Sequence, residues 1–157
     1  MSPPPQPLDL GILLALGYQE FVRQLHRDLA GHGYDDLGRS DGYVFRALDA
    51  GPLTTSALAA RLGVSKQGAG QIVDDMTRRG YLDSHPDPGD ARARLLVLSE
   101  RGRGALAAAR EFHQRYERGL ARRHGRATVT ALRDLLTEMA ATGDDGSVDP
   151  RLRAMFL

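Results

Sequence analysis

The sequence predicts a mainly α-helical fold carrying one small β-hairpin. Three observations predict it. Apolar residues recur at three- and four-residue steps through most of the chain, capping residues and glycines divide those runs into separate helices, and one pair of extended runs flanks a Pro-Gly turn. At 157 residues the chain suits one domain, or one domain with an added helical layer.

Taken in order, residues 1–7 contain PPPQP and read as a stiff, polyproline-like arm, expected to be disordered. From Leu8 to about Ala30, Leu10, Leu14, Phe21, Leu25 and Leu29 fall at helical steps, and Ile12, Leu13, Leu16 and Val22 add a second stripe. A helix apolar on two sides has two things to pack against. One small lobe can hardly cover both, so burial in a dimer is expected. GHGYDDLGRSDG breaks the pattern, and Ser40 or Asp41 is expected to cap a second helix that runs to about Ala50 and ends at Gly51-Pro52. Thr54 or Thr55 caps a short helix whose Leu58, Ala59 and Leu62 face inward. Gly63 makes the turn and Val64 plugs it. Ser65 caps the next helix, to about Arg79, and Gly80 ends it. YLDSH and RARLLVL are extended runs on either side of PDPGDA, which makes a hairpin. Ser99 caps a long helix to about His124 bearing Leu106, Phe112, Tyr116 and Leu120. A last helix, about Ala127 to Ala141, carries Val129, Leu132, Leu135, Leu136 and Met139, followed by the loop TGDDGSVDP and the apolar tail RLRAMFL.

Helix, tight glycine turn, capped helix and hairpin together make the winged helix-turn-helix plan. Its first helix holds the second rigidly, so the exposed N-terminal face of the second can enter a DNA major groove. Residues 36–99 form this lobe, and residues 8–35 with 100–157 form a helical dimerisation region. At 100° per residue, Ala69, Ile72, Val73 and Met76 share the buried side of the second helix. Gln67, Gly70, Gln71, Asp74 and Arg78 point away, with Lys66 and Gly68 on the flanks. Glutamine can bond bidentately to adenine N6 and N7. Asp74 and Asp75 suit a DNA-facing surface poorly, but Arg78 and Arg79 lie four residues on and can pair with them. At the hairpin tip, Arg92 and Arg94 suit the narrow, electronegative minor groove, with Asp90 close enough to orient Arg92.

Two glycines stand in the first turns of this helix, each costing roughly 1 kcal/mol relative to alanine. One reading is close docking: with no side chain at Gly68 or Gly70, backbone approaches the groove and the helix N-terminus favours phosphate. The plain reading is that Gly68 lets two helices cross tightly and Gly70 reflects a GC-rich codon pool.

Residues 54–104 resemble the DNA-binding lobe of the multiple antibiotic resistance regulator (MarR) family. The matching runs are Leu58-Ala59-x-Arg61-Leu62-Gly63-Val64-Ser65, Arg79-Gly80-Tyr81-Leu82, and Asp87-Pro88-x-Asp90-x-Arg92 followed by Leu98-Ser99-x-x-Gly102. The resemblance implies an obligate homodimer whose N- and C-terminal helices interlock and whose two lobes read a pseudo-palindromic operator in double-stranded DNA. It places recognition-helix contacts on Ser65, Lys66, Gln67 and Gln71 and the wing contact on Arg92. Where family members often carry Ser or Thr followed by Arg, this chain has Gly70-Gln71, which removes a hydroxyl and a charge. The resemblance further implies a small aromatic, often phenolic, effector between the dimer layer and the lobe, with Tyr18, His26, Arg39, Tyr43 and Tyr116 as candidate lining positions.

Other classes are disfavoured. The chain has no cysteine, which removes disulfides, thiolate zinc sites and thiol redox sensing by the chain itself. His26, His32, Asp35 and Asp36 repeat no metal-ligand pattern, so no metal or cofactor is expected. No nucleophile elbow or phosphate-binding loop is present, and RGRGALA lacks the strand and third glycine such a loop needs, so an enzyme is not expected. The first basic residue is Arg23 and the early apolar run is short, so a cytoplasmic protein without membrane association is expected. Net charge is +1 with pI about 8.2, and residues 54–94 are nearly balanced. That balance supports the alternative reading, a winged-helix module for protein–protein contact without an operator.

Overall fold

The computed structural model describes residues 8–140, apart from the side chains of residues 91 and 92. The N-terminal arm, the apolar tail and the Arg92 side chain therefore lie outside the described residues. Among the described residues, six helices and a two-stranded hairpin follow in the order α1 (Leu10–Gly31), α2 (Asp41–Asp49), α3 (Thr55–Leu62), α4 (Lys66–Arg78), β1 (Leu82–Asp87), β2 (Asp90–Leu98), α5 (Glu100–His124) and α6 (Arg126–Ala140). No described helix is long and apolar enough to cross a membrane.

Local signals build most of these elements. Thr54 Oγ1 accepts the Ala57 N–H at 3.1 Å, Ser65 Oγ the Gly68 N–H at 3.0 Å, and Ser99 Oγ the Gly102 N–H at 3.0 Å. Each such cap stabilises its helix by about 1 kcal/mol. Gly80, at φ 79°, ends α4 in a Schellman turn: the Gly80 N–H donates to the Thr77 carbonyl and the Tyr81 N–H to the Met76 carbonyl, both at 2.9 Å. The hairpin pairs Leu82 with Leu98 through Pro86 with Arg94, with an irregularity between Pro86 and Asp87. Its strands run closer to the turn than the composition of PDPGDA predicts. The Asp87 carboxylate, accepting the Gly89 N–H at 2.8 Å, closes the tip and lets pairing continue to Asp87 and Asp90.

Two local expectations are corrected. Ser40 occupies the N-cap of α2 but its side chain makes no capping bond; the Asp41 carboxylate reaches back instead and accepts the Gly38 N–H at 2.8 Å. Tyr81 lies before β1 and is fully buried. Leu53 adds an unforeseen bridge to β2, its N–H donating to Leu96 O at 3.2 Å and its carbonyl accepting the Leu96 N–H at 2.8 Å.

The core gathers Val44, Phe45, Leu48, Leu58, Leu62, Val73, Met76, Tyr81, Leu82, Leu96, Leu98, Ala105 and Leu106, so the first turns of α5 share the core of the lobe. Further along, α5 packs on α1: the Phe21 ring lies 5.6 Å from Phe112 and 5.0 Å from Tyr116. Arg115 pairs with Asp28 of α1, Arg110 with Asp49 of α2, and Arg133 of α6 with Glu117. The apolar residues of the first half of α1 are largely uncovered, Leu10 being 68% exposed, and Leu132, Leu135, Leu136 and Met139 of α6 are exposed too.

The tightest junction is Gly102 against Tyr81, where a Cβ would overlap the Tyr81 carbonyl oxygen. That oxygen already accepts the Ser99 N–H at 3.0 Å and cannot retreat. Gly102→Ala is expected to destabilise the protein by about 1–3 kcal/mol, the cost of overpacking, read as a lower urea midpoint at unchanged m-value.

Candidate nucleic-acid interface

The candidate interface is built on α4, a helix with two contrasting sides. Ala69 and Met76 are fully buried and Val73 nearly so, while Ile72 is half-buried at the edge. Ser65, Lys66, Gln67, Gln71, Asp74 and Arg78 are exposed, and Gly68 and Gly70 are partly covered. The helix-turn-helix joint that sets this orientation is short: Gly63, at φ 68°, reverses the chain, and the Val64 N–H closes on Ala59 O at 3.1 Å.

The glycines differ in their surroundings. A Cβ on Gly68 would meet Ser65 Oγ at 3.2 Å and Val64 Cβ at 4.0 Å, so its neighbour is the cap hydroxyl and the turn rather than a crossing of α3. A Cβ on Gly70 would meet nothing within 4 Å. Packing inside the chain therefore does not require glycine at residue 70.

The far end of α4 is anchored by ions. Arg79 donates to Asp41 Oδ2 at 2.7 Å, to Asp36 O at 2.7 Å, and from Nε to Asp75 Oδ2 at 2.8 Å. The Asp41 side chain is 3% exposed and that of Arg79 17%. Hydrogen bonding to Asp41 holds the Arg79 guanidinium firmly protonated. Removing one partner of such a pair costs about 3–5 kcal/mol. Beside it, Tyr81 Oη donates to Asp36 Oδ1 and Arg101 donates to both, at 3.1 Å to each. Burial, reinforced by the Asp36 carboxylate, pushes the Tyr81 phenol up to about 12, and the Tyr81 hydrogen bond lowers Asp36. Asp75 is held below the ordinary carboxylate range by hydrogen bonds from Arg79 and then Arg78.

Of the two charge pairs expected on α4, Asp75 with Arg79 is present and Asp74 with Arg78 is not. Arg78 pairs with Asp75 at 2.5 Å, three residues back, rather than with Asp74. Asp75 thus serves both arginines, and Asp74 has no ion pair or hydrogen bond to another side chain among the described residues. Nothing in the composition signalled Arg79 as a buried anchor, because its partner Asp41 lies 38 residues away.

The wing presents Asp90 at its exposed tip. Arg94 is folded back onto β1, its Nε donating to Ser84 Oγ at 3.0 Å and its terminal nitrogen to Ser84 O at 2.8 Å. Of the candidate effector positions, Tyr43 is half-buried, and burial, reinforced by Tyr18, raises its pKa. Tyr116 meets Phe21 edge-on and lies tilted against Phe112 at the α1–α5 junction. His26 is half-buried on α1, and Arg39 is exposed in the loop before α2. A cleft of about 830 Å³ opens elsewhere, between the Gly38–Asp41 segment and α4, and includes Val64, Gln71, Ile72 and Arg79 but none of those five.

Comparison with known proteins matches residues 35–93 to the family model described as MarR family. An uncharacterized protein of Mycobacterium tuberculosis, Rv2011c, is 34% identical over 87 residues, 55% of this chain and 61% of that protein. An uncharacterized protein of Mycobacterium bovis matches with the same identity and coverage. The chain thus spans 61% of the length of the curated relatives it matches. Among solved structures, Streptococcus pneumoniae FabT in complex with DNA is 18% identical at TM-score 0.69, covering 82% of this chain and 90% of that one. A mutant of E. coli MarR complexed with operator DNA is 22% identical at TM-score 0.63, covering 83% and 92%. These likenesses establish the winged-helix fold.

Because residue 70 has open space, Gly70→Ala is expected to stabilise the free protein by about 0.5–1 kcal/mol in denaturant titration. If glycine serves close approach to DNA, the same variant binds its cognate duplex more weakly. Equal or tighter binding leaves the codon-pool explanation standing.

Proposed function

We propose that the chain, whose residues 35–93 match the MarR family model, is a MarR-type, sequence-specific, DNA-binding transcription regulator acting as a homodimer. The observation that carries this reading is α4 itself: a Ser65-capped N-terminus, one side sunk in the core, and a polar stripe of long side chains facing outward beside a hairpin. DNA-bound relatives of the same fold support it. In this reading Gln67 and Gln71 read base edges, most simply adenines, while Ser65, Lys66 and the helix N-terminus meet backbone phosphate. Gly68 and Gly70 allow close approach. Arg92 enters the minor groove, Asp90 orients it, and Arg94, braced on Ser84, shapes the wing.

Residues 36–99 then act as the reading lobe, and residues 8–35 and 100–157 as the dimer layer. The simplest mode of action is repression by occupying promoter DNA. A small aromatic or phenolic effector would bind between the dimer layer and the lobe, near Tyr18, Tyr43 and Tyr116, and act by favouring a conformation with the wrong half-site spacing. His26 and Arg39 are further candidates there. The near balance of charge over residues 54–94 favours one other reading, a protein-contact module.

Titration with random duplex at low and high salt separates the two. A DNA binder shows a steep, linear fall of log affinity with log salt, and a flat response rejects the DNA reading. On the DNA upstream of its own gene, Gln71→Ala is expected to cost about 1–3 kcal/mol on a specific site and little on random duplex. Arg92→Ala should weaken both alike, and equal losses for the two variants would refute this division of roles.

The exposed rows on α1 and α6 give a second test. Sedimentation at micromolar concentration is expected to show dimer alone, and a folded monomer there would overturn the dimer.

A further inference from the structure

We propose that Asp74 is a specificity-determining residue that selects cytosine in each half-site; the inference rests on the DNA-binding reading above. Seven residues after Gln67, Asp74 lies within about 20° of it around the helix axis and about 10 Å further along. It therefore stands in the outward stripe itself, between Gln71 and Arg78. It is exposed, and the arginine that helical spacing offers it, Arg78, is engaged by Asp75 at 2.5 Å. The other arginine at the end of the helix, Arg79, is held by Asp41 and Asp75. One turn back stands Gly70, whose missing side chain leaves open space on the approach to Asp74.

An unpaired carboxylate facing DNA is repelled by phosphate unless it gains a hydrogen bond. It accepts and cannot donate. Major-groove donors are the amino groups of cytosine N4 and adenine N6. Guanine presents only acceptors there, N7 and O6, and thymine presents the O4 acceptor and a methyl group, so both repel or fail to satisfy it. Adenine places its N7 lone pair next to the amino group, opposing the second carboxylate oxygen. Cytosine offers the amino group without that neighbour. The geometry thus gives Asp74 a role in excluding three bases as much as in accepting one, the negative half of a code whose positive half is Gln67 and Gln71.

The test uses the full chain and a duplex library with a randomised core. Sites are selected with wild type, Asp74→Asn and Asp74→Ala, and base-pair variants of the wild-type site are then titrated at fixed salt. The expected wild-type result is one position per half-site at which cytosine is preferred by about tenfold. Asp74→Ala should flatten that position while raising affinity for random duplex. Asp74→Asn should move the preference from cytosine to adenine, because the amide bonds bidentately to N6 and N7. A merely repulsive or structural Asp74 cannot produce that switch. If both variants select the wild-type site unchanged, whether or not affinity rises uniformly, the Asp74 proposal is overturned and the DNA reading survives. If wild type selects no sequence and shows no salt-dependent binding, the DNA reading falls and this inference with it.

Discussion

Tyr81 ties the C-terminal end of α4 to the elements around the candidate interface. Its N–H closes the Schellman turn of α4 on Met76, its carbonyl receives the Ser99 N–H and packs against Gly102, and its hydroxyl reaches Asp36. Ser99 adds a donated hydrogen bond to Gly80 O at 2.6 Å while capping α5. One buried residue therefore joins the end of α4, the two ends of the hairpin, the start of α5 and the loop before α2. A buried phenol with its hydroxyl satisfied combines a large apolar contact with a directional bond, and both are used here.

That junction fixes the C-terminal end of α4, as the Gly63 turn fixes its start against α3. Its C-terminal turn is locked by the Schellman turn and by the Arg79 pairs with Asp41 and Asp75, while its N-terminal turn is capped but uncovered. Rigidity at the anchored end allows the other end to carry glycines, whose cost in helix propensity is borne by tertiary packing. The same anchoring reaches the long helix, since Arg101 of α5 bonds to Asp36 and Tyr81.

Charge placement also explains why a nearly neutral segment is compatible with a polyanionic partner. Asp75 is paired with Arg78 and Arg79 at the anchored end, while Arg94 stays exposed and keeps its charge as it donates to Ser84. The outward stripe of α4 presents glutamines, Lys66, the exposed Arg78 and Asp74, which has no charged partner among the described residues. Net charge counts all of these equally, whereas a ligand meets only the exposed ones.

The sequence by itself determined the features whose causes lie within about four residues. Thr54, Ser65 and Ser99 cap the helices assigned to them, Gly63 and Gly80 end theirs, and the turn at Pro88-Gly89 makes the hairpin, because each signal acts on neighbouring backbone groups. The two sides of α4 were legible for the same reason, the 100° period being a local property. Tertiary structure decided what local spacing leaves degenerate. Arg78 can reach either Asp74 or Asp75 along its helix, and both can be served on paper. The choice falls to Asp75 in a cluster that also holds Arg79, whose remaining donors are directed by Asp41 and the Asp36 carbonyl, far away in the chain. Likewise Tyr81 reads as the start of a strand until Asp36 and Arg101 claim its hydroxyl, and Leu53 reads as loop until β2 offers it a ladder. Such partners are brought together only by the closure of long loops, so no window of sequence contains the information that selects them.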